Sequence, residues 1–377
     1  MKPINIRLIP AFCCALALLC ACQKHTESGE DQSKISFAVT SLDKTKATAV
    51  SEVEQVASMG IFGYSTYSEF NPINFLHTPN LLYNQKATRT PGDAANHISP
   101  GEWMYDPVAY WPLELSVYNT FFAYSPHSSD VPDGAMTVSG QSQGGYPSIT
   151  YTLPSDGEGG GLDDLVDILY ADAVDSDHPL KNINRESNDG KVLYQMKHGM
   201  AWIAFLIATT EYSKDEISGV YDKTDKYEVT WLSFMGENIP LTSTLNLGTG
   251  EWTNSSDSYQ KLVYDFGDLL PAVSDLGPNK VVRVVDPARC LMLFPGEIGG
   301  ENSAATIDLT FNYSNNNQPI PIEYYYYMPV PVGRLVAGHV IVYVINISPE
   351  GITVDFGTEH TVMEWLQADE EFNIDIF

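Results

Sequence analysis

Ile35-Ser36-Phe37-Ala38-Val39-Thr40 sets apolar side chains against small or polar ones at every step, and that period of two is the signature of a half-buried β-strand. The same alternation returns in Ser148-Ile149-Thr150-Tyr151-Thr152-Leu153 and in Gly351-Ile352-Thr353-Val354-Asp355-Phe356. Two further runs, Met200-Ala201-Trp202-Ile203-Ala204-Phe205-Leu206-Ile207 and His339-Val340-Ile341-Val342-Tyr343-Val344-Ile345, are apolar on both faces and suit the central strands of a sandwich. Periodicity alone also allows the first of these to be a buried helix. Turn-forming clusters such as Ser155 to Gly161 and Tyr313 to Asn317 punctuate the chain, while sustained helical periodicity is scarce. The pattern predicts an all-β protein, and 377 residues exceed what one core usually serves, so two β-sandwich domains in tandem are expected. The charged stretch Glu211 to Glu216 places the boundary near residue 213, giving domains 35–213 and 214–377. No internal repeat of solenoid or propeller length is visible.

Upstream of the first strand the chain reads as an export signal. Lys2 and Arg7 form a basic n-region, and the apolar run from Ala11 to Leu19 is too short to span a bilayer. Leu19-Cys20-Ala21-Cys22 then fits a lipobox, in which a small residue precedes the thiol that carries the lipid and an aliphatic residue stands three positions upstream. Residues 1–21 are therefore expected to be a lipoprotein signal peptide, Cys22 the lipidated residue, and 22–34 a polar tether. Of the five cysteines, Cys13, Cys14 and Cys20 would leave with the signal and Cys22 would be acylated, which strands Cys290 without a disulfide partner. The net charge of −28, more negative still once Lys2 and Arg7 are removed, repels nucleic acid and anionic membrane surfaces. Contact with a membrane is expected only through the lipid on Cys22.

Several motifs carry chemistry on paper. Gly140-Gln141-Ser142-Gln143-Gly144 matches the Gly-x-Ser-x-Gly nucleophile elbow, but Pro147 and an alternating strand follow where that elbow needs a helix, so it reads as a hairpin loop. Asp172, Asp175 and Asp177, and likewise Asp163, Asp164 and Asp167, are close enough to share a calcium ion but lack EF-hand spacing, and a solvated acidic loop is the default. The histidines make no transition-metal pair, and His198 beside an apolar run reads as a hydrogen-bonded core residue. Tyr324-Tyr325-Tyr326-Tyr327, with Tyr110-Trp111, could stack on sugars, yet consecutive strand residues face opposite ways and cannot form one platform. No catalytic set, no metal site and no cofactor site is assigned, and a surface hydrolase lacks a credible acid, base and nucleophile.

The order of segments resembles that of the fimbrillins, the type V pilus subunits of Bacteroidales. The lipobox, the tether, Ile35 to Val39 and Lys44-Thr45-Lys46-Ala47 are similar to the start of fimbrillin precursors. Tyr110-Trp111-Pro112, Thr120 to Pro126, Asp164 to Ala171 and Met196 to Ala201 look like landmarks of the first domain, and Leu245 to Trp252 looks like one of the second. The resemblance implies two transthyretin-like Greek-key sandwiches, an outer-membrane lipoprotein precursor and a place in a cell-surface fimbrium. It also implies assembly in which a trypsin-like protease removes the first strand, residues 35–46, and a neighbouring subunit's strand refills the groove. The removable side chains would be Ile35, Phe37 and Val39, with cleavage at Lys46 or, alternatively, Lys44. Fimbrillins often carry arginine at the cut, whereas beyond the signal peptide no arginine occurs here until Arg89, so an arginine-specific protease would leave the chain uncut as an anchor or terminal subunit. The C-terminus, Phe372-Asn373-Ile374-Asp375-Ile376-Phe377, alternates again. Residues 370–377, through Phe372, Ile374 and Ile376, read either as a donor strand for a neighbour's groove or as an edge strand on their own domain's core. The expected partners are other fimbrillin subunits in a homo- or hetero-polymer, with a host or bacterial surface receptor besides. The alternative is a tip adhesin or surface glycan-binding lipoprotein that is not polymerised.

Overall fold

A computed structural model of the chain describes residues 34–42, 53–73, 77–92, 99–154, 162–209, 213–214, 221–222, 225–255, 259–266, 280–284, 290–299, 305–348 and 351–361. Among these residues the fold is all-β, with 24 strands, and the helical segments are 3-10 turns of three or four residues.

A seven-stranded sheet organises the N-terminal half. Its spatial order is Ser36–Leu42, Lys191–His198, Leu169–Ala171, Tyr118–Ser125, Ser58–Thr66, Leu82–Arg89 and Trp103–Tyr105. Every pairing is antiparallel except the first, in which Ser36–Leu42 runs parallel to Lys191–His198. Strand alternation divides the apolar side chains of the central strands between two cores. Phe121 and Ala123, with Met59 and Ile61, enter one; Phe122 and Tyr124, with Phe62 and Tyr64, enter the other. That division explains why Tyr118–Ser125 is buried from Asn119 to Ser125, polar ends included: both faces of the sheet are covered. On the first side the sheet curls until its edges meet, since Tyr105, on the far edge strand, donates a hydrogen bond to the Ile35 carbonyl at 2.7 Å. On the other side lies a four-stranded sheet ordered Trp252–Asn254, Thr242–Asn246, Ser148–Thr152 and Met136–Val138.

The C-terminal half is a second pair of sheets. Tyr259–Asp265, Lys226–Pro240, Ala305–Ser314 and Ile322–Pro329 form one, and Lys280–Arg283, Ala201–Thr209, His339–Ser348 and Gly351–Thr361 form the other, with Leu291–Leu293 pairing Ala201–Thr209 as its fifth strand. Phe205 of the second sheet meets Phe234 of the first with ring centroids 6.3 Å apart. The run that periodicity left open between helix and strand is a strand, Ala201–Thr209, buried along its whole length. It lies parallel to His339–Ser348, with Trp202 opposite Val340 and Thr209 opposite Ile347.

Pairing crosses the expected boundary near residue 213 in both directions. Ala201–Thr209, on its N-terminal side, is a central strand of the C-terminal sheet, because a strand apolar on both faces needs cover on both. Thr242–Asn246, on its C-terminal side, pairs with Ser148–Thr152, so Leu245 to Trp252 belongs with the N-terminal half. The turn after that strand packs tightly there: a Cβ on Gly248 would lie 2.0 Å from the Tyr146 ring. One core runs through both halves, from Phe62 and Ile149 to Phe205 and Ile345.

Candidate functional site

The site is the seat of the first strand. Ser36–Leu42 is an edge strand that presents Ile35, Phe37 and Val39 to one face, and these side chains are 0%, 5% and 8% exposed. Phe37 stacks nearly parallel on Tyr194, with centroids 5.9 Å apart and planes at 8°. Tyr105 and Phe121 meet it edge-on at 5.2 Å and 6.0 Å. Val192, Met196, Trp103 and Trp111 complete the same core. Burying the three aliphatic and aromatic side chains of the strand contributes roughly 5 to 9 kcal/mol by area.

The backbone holds the strand unevenly. Along Lys191–His198 the register runs from Ser36 opposite Lys191 to Leu42 opposite Met196, with an irregularity between Val39 and Ser41. The opposite edge is engaged only near its start, where Lys34 bridges Tyr110 and the Ile35 amide donates to the Ala109 carbonyl at 3.0 Å. Among the described residues no strand pairs with the outer edge of Ala38 to Leu42. The strand is thus held by one ladder and a short clasp, over an apolar surface that includes Val192, Tyr194 and Phe121.

The seat is dry enough to perturb its phenols. Desolvation raises the Tyr105 hydroxyl to about 12, offset in part by its bond with Ala109. Burial pushes Tyr194 further, with the nearby Tyr105 adding to it. The Tyr194 hydroxyl has no hydrogen-bond partner among the described residues, a standing cost of about 1–3 kcal/mol beneath the strand.

Beside the strand's end, Ser41, Gln195 and Lys197 line a small cleft with Asp172, Asp175 and Asp177. These carboxylates are already engaged. Lys197 lies 2.9 Å from Asp172 and 3.5 Å from Asp175, the amides of Val174 and Asp175 donate to Asp172, and Gln195 donates to Asp177. Burial would raise the Asp172 carboxyl, but the Lys197 hydrogen bond and charge and the two amides together hold it below the ordinary range. Of the other acidic set, Asp167 lies 2.9 Å from His198 Nδ1, and both side chains are buried, so this histidine is a hydrogen-bonded core residue. Among the described residues no group of three acidic, histidine or cysteine side chains converges as a metal site.

The remaining motifs fall into place on the sheets. Gly140 to Gly144 is a loop between Met136–Val138 and Ser148–Thr152, exposed at 140–143 and buried at Gly144, closed by the Ser139 amide donating to the Ser148 carbonyl at 2.9 Å, with no helix behind Ser142. Trp111 is buried and donates to the Gly190 carbonyl at 3.0 Å. The four tyrosines divide between faces: Tyr324, itself still exposed, and the half-buried Tyr326 stack on Phe311, while Tyr325 and Tyr327 face the other way and are more exposed. Cys290 is buried and in no disulfide. Cys22, Lys44, Lys46, Phe372, Ile374 and Ile376 lie outside the described residues. Sequence reasoning had assigned no partner to Phe37, and the residues it missed are Tyr105 and Tyr194. The spacing of Val192, Tyr194 and Met196 on a period of two was the signal for the second.

Comparison with known proteins gives this arrangement a context. The fimbrillin-like family model matches residues 45–365. A fimbrium subunit of Phocaeicola vulgatus, Fim1C, is 30% identical over 192 residues. That match takes in 49% of this chain and 46% of the relative, so it spans about half the length of each. The crystal structure of a fimbrial protein from Bacteroides vulgatus superposes with a TM-score of 0.62 over 88% of this chain and 99% of its own, at 20% identity, which is a likeness of fold.

Proposed function

The chain belongs to the fimbrillin-like family, and on that premise we propose that it is a non-enzymatic structural subunit of a cell-surface type V pilus. It is exported as an outer-membrane lipoprotein precursor anchored through Cys22. Cleavage at Lys46, or at Lys44, frees the first strand, and a strand from a neighbouring subunit, of this or a related kind, takes its seat. Residues 370–377, with Phe372, Ile374 and Ile376 on one face, are the candidate donor. One observation carries this reading: the chain's first strand is an edge strand whose three apolar side chains are buried in the core, held by one ladder and one clasp. Losing it leaves a groove that only another strand can fill, and strand addition combines main-chain hydrogen bonds with side-chain pockets at every second residue. Cleavage would also separate the subunit from its lipid, leaving strands alone to hold it in the fibre.

Treating the purified precursor with trypsin tests the proposal. Assembly into ladders or fibres, together with a new N-terminus at Ala47 or Thr45 in surface-sheared material, is the expected result. A cleaved protein that stays monomeric would overturn the strand-exchange reading. Retention of glycans without assembly would instead favour the unpolymerised adhesin.

A further inference from the structure

We propose that the outward face of the sheet containing Lys226–Pro240, Ala305–Ser314 and Ile322–Pro329 is a binding platform for a neutral oligosaccharide, built on Trp231, Tyr325 and Tyr327. Register puts the rings together. Trp231 stands opposite Thr310, and Thr310 opposite Tyr325, so one row crosses three strands; the next row is Ser233, Asp308 and Tyr327. Directly opposed residues share a face, and residues two apart on a strand do too. The three residues are therefore neighbours on one face of the sheet, with the backbone positions of Tyr325 and Tyr327 roughly 6.6 Å apart along the strand and that of Trp231 roughly 9.5 Å across it. They are 40%, 64% and 59% exposed.

The opposite face explains why this surface is ready-made. Tyr324 and Tyr326 stack on Phe311 at 5.4 Å and 6.0 Å, with planes at 17° and 10°, and so fix the edge strand on its core side. Rings presented by an anchored strand lose little freedom when a ligand arrives. Polar groups lie between them. Tyr325 donates to Asp308 Oδ2 at 3.1 Å, which orients its ring, and Asp308 Oδ1 is buried beneath the surface. A sugar offers a flat apolar face for the exposed rings and hydroxyls that pair with the exposed phenol groups of Tyr325 and Tyr327.

Charge selects the occupant. Glu228, Asp308 and Glu323 lie on this face, with Lys226 at its end, and the whole chain carries −28. Sialylated or sulfated glycans would be repelled, and a second copy of the same face would oppose carboxylates to carboxylates. Neutral sugars meet neither penalty. The proposal stands apart from strand exchange, because none of these residues lines the seat of the first strand.

The test uses the full-length protein in native gels cast with hydroxyethylcellulose, galactomannan or desialylated mucin, with dextran sulfate as the anionic control. The intact protein should be retarded by at least one neutral probe and not by dextran sulfate. Trp231→Ala and Tyr325→Ala should each weaken that affinity about tenfold or more, as loss of a stacked ring requires. Tyr325→Phe, which keeps the ring, and Tyr67→Ala, an exposed ring elsewhere, should leave it within about threefold. Urea midpoints of the four variants should be unchanged, which separates lost binding from lost folding. Absence of retardation by all three neutral probes would overturn the proposal, as would equal retardation of the alanine variants. So would self-association in sedimentation that Trp231→Ala abolishes, or retention on polylysine alone, since these would assign the face to a second copy or to a basic peptide.

Discussion

Replacing Phe37 with alanine should cost the precursor about 3 kcal/mol of unfolding free energy. Truncating a buried phenylalanine typically costs about 3–5 kcal/mol, through lost transfer and an unfilled cavity. Phe37 is 5% exposed and touches three rings, which argues for the full range. Its strand is an edge strand and can shift inward, which places the expected loss at the lower end. Urea unfolding followed by tryptophan fluorescence is a suitable assay, because Trp103 and Trp111 lie in the same core. A companion variant checks the seat from below: Tyr194→Phe removes an unpartnered hydroxyl and should leave stability unchanged or raise it by up to about 1 kcal/mol. Ser36→Ala, outside the buried face, should stay within about 0.5 kcal/mol. A loss below about 1 kcal/mol for Phe37→Ala would refute the reasoning, since it would mean that the ring is not packed in solution.

Cys22→Ala should abolish metabolic fatty-acid labelling and membrane retention while leaving the urea transition unchanged; persistent labelling would remove the lipid assignment. Deleting residues 370–377 should leave monomer stability within about 1 kcal/mol and abolish polymerisation if they are donors, whereas a strand of their own core would cost several. Fibres formed by the protease-treated truncation would rule out the donor role. Asp172 should contribute to acid stability: its folded pKa lies below that of the unfolded chain, so its contribution is complete above about pH 4 and is lost as pH falls through the folded value. Asp172→Asn should therefore flatten the stability profile below about pH 4. An unchanged acid limb would show that the Lys197 contact is not formed in solution.

How legible the fold was depends on what each signal measures. Alternation reports which side of a strand is buried, so Ile35, Phe37 and Val39 were readable as one face. It says nothing about neighbours, and the sequence held no sign that Ser36–Leu42 runs parallel to a strand some 150 residues away. Ala201–Thr209 shows the same limit: its all-apolar character announced burial on both faces, but not that its ladder partners are His339–Ser348 and Lys280–Arg283. A charged stretch such as Glu211 to Glu216 signals only a polar segment, which is a weaker statement than a division between cores. The four tyrosines were correctly divided by pleat, yet only cross-strand register could join Tyr325 to Trp231, a residue 94 positions earlier.

The exchange of strands across residue 213 has a mechanical consequence. Tension entering one half of the subunit passes into the other through laddered backbone bonds as well as through the covalent link. The parallel ladder from Trp202 to Thr209 lies along the strand axis, where a pull loads its bonds together in shear rather than one at a time. Because one of the two cores is shared by both halves, neither half can melt without stripping cover from its neighbour, so heat or denaturant should produce one transition. The two halves are thereby expected to answer a load as one unit rather than as two domains on a hinge.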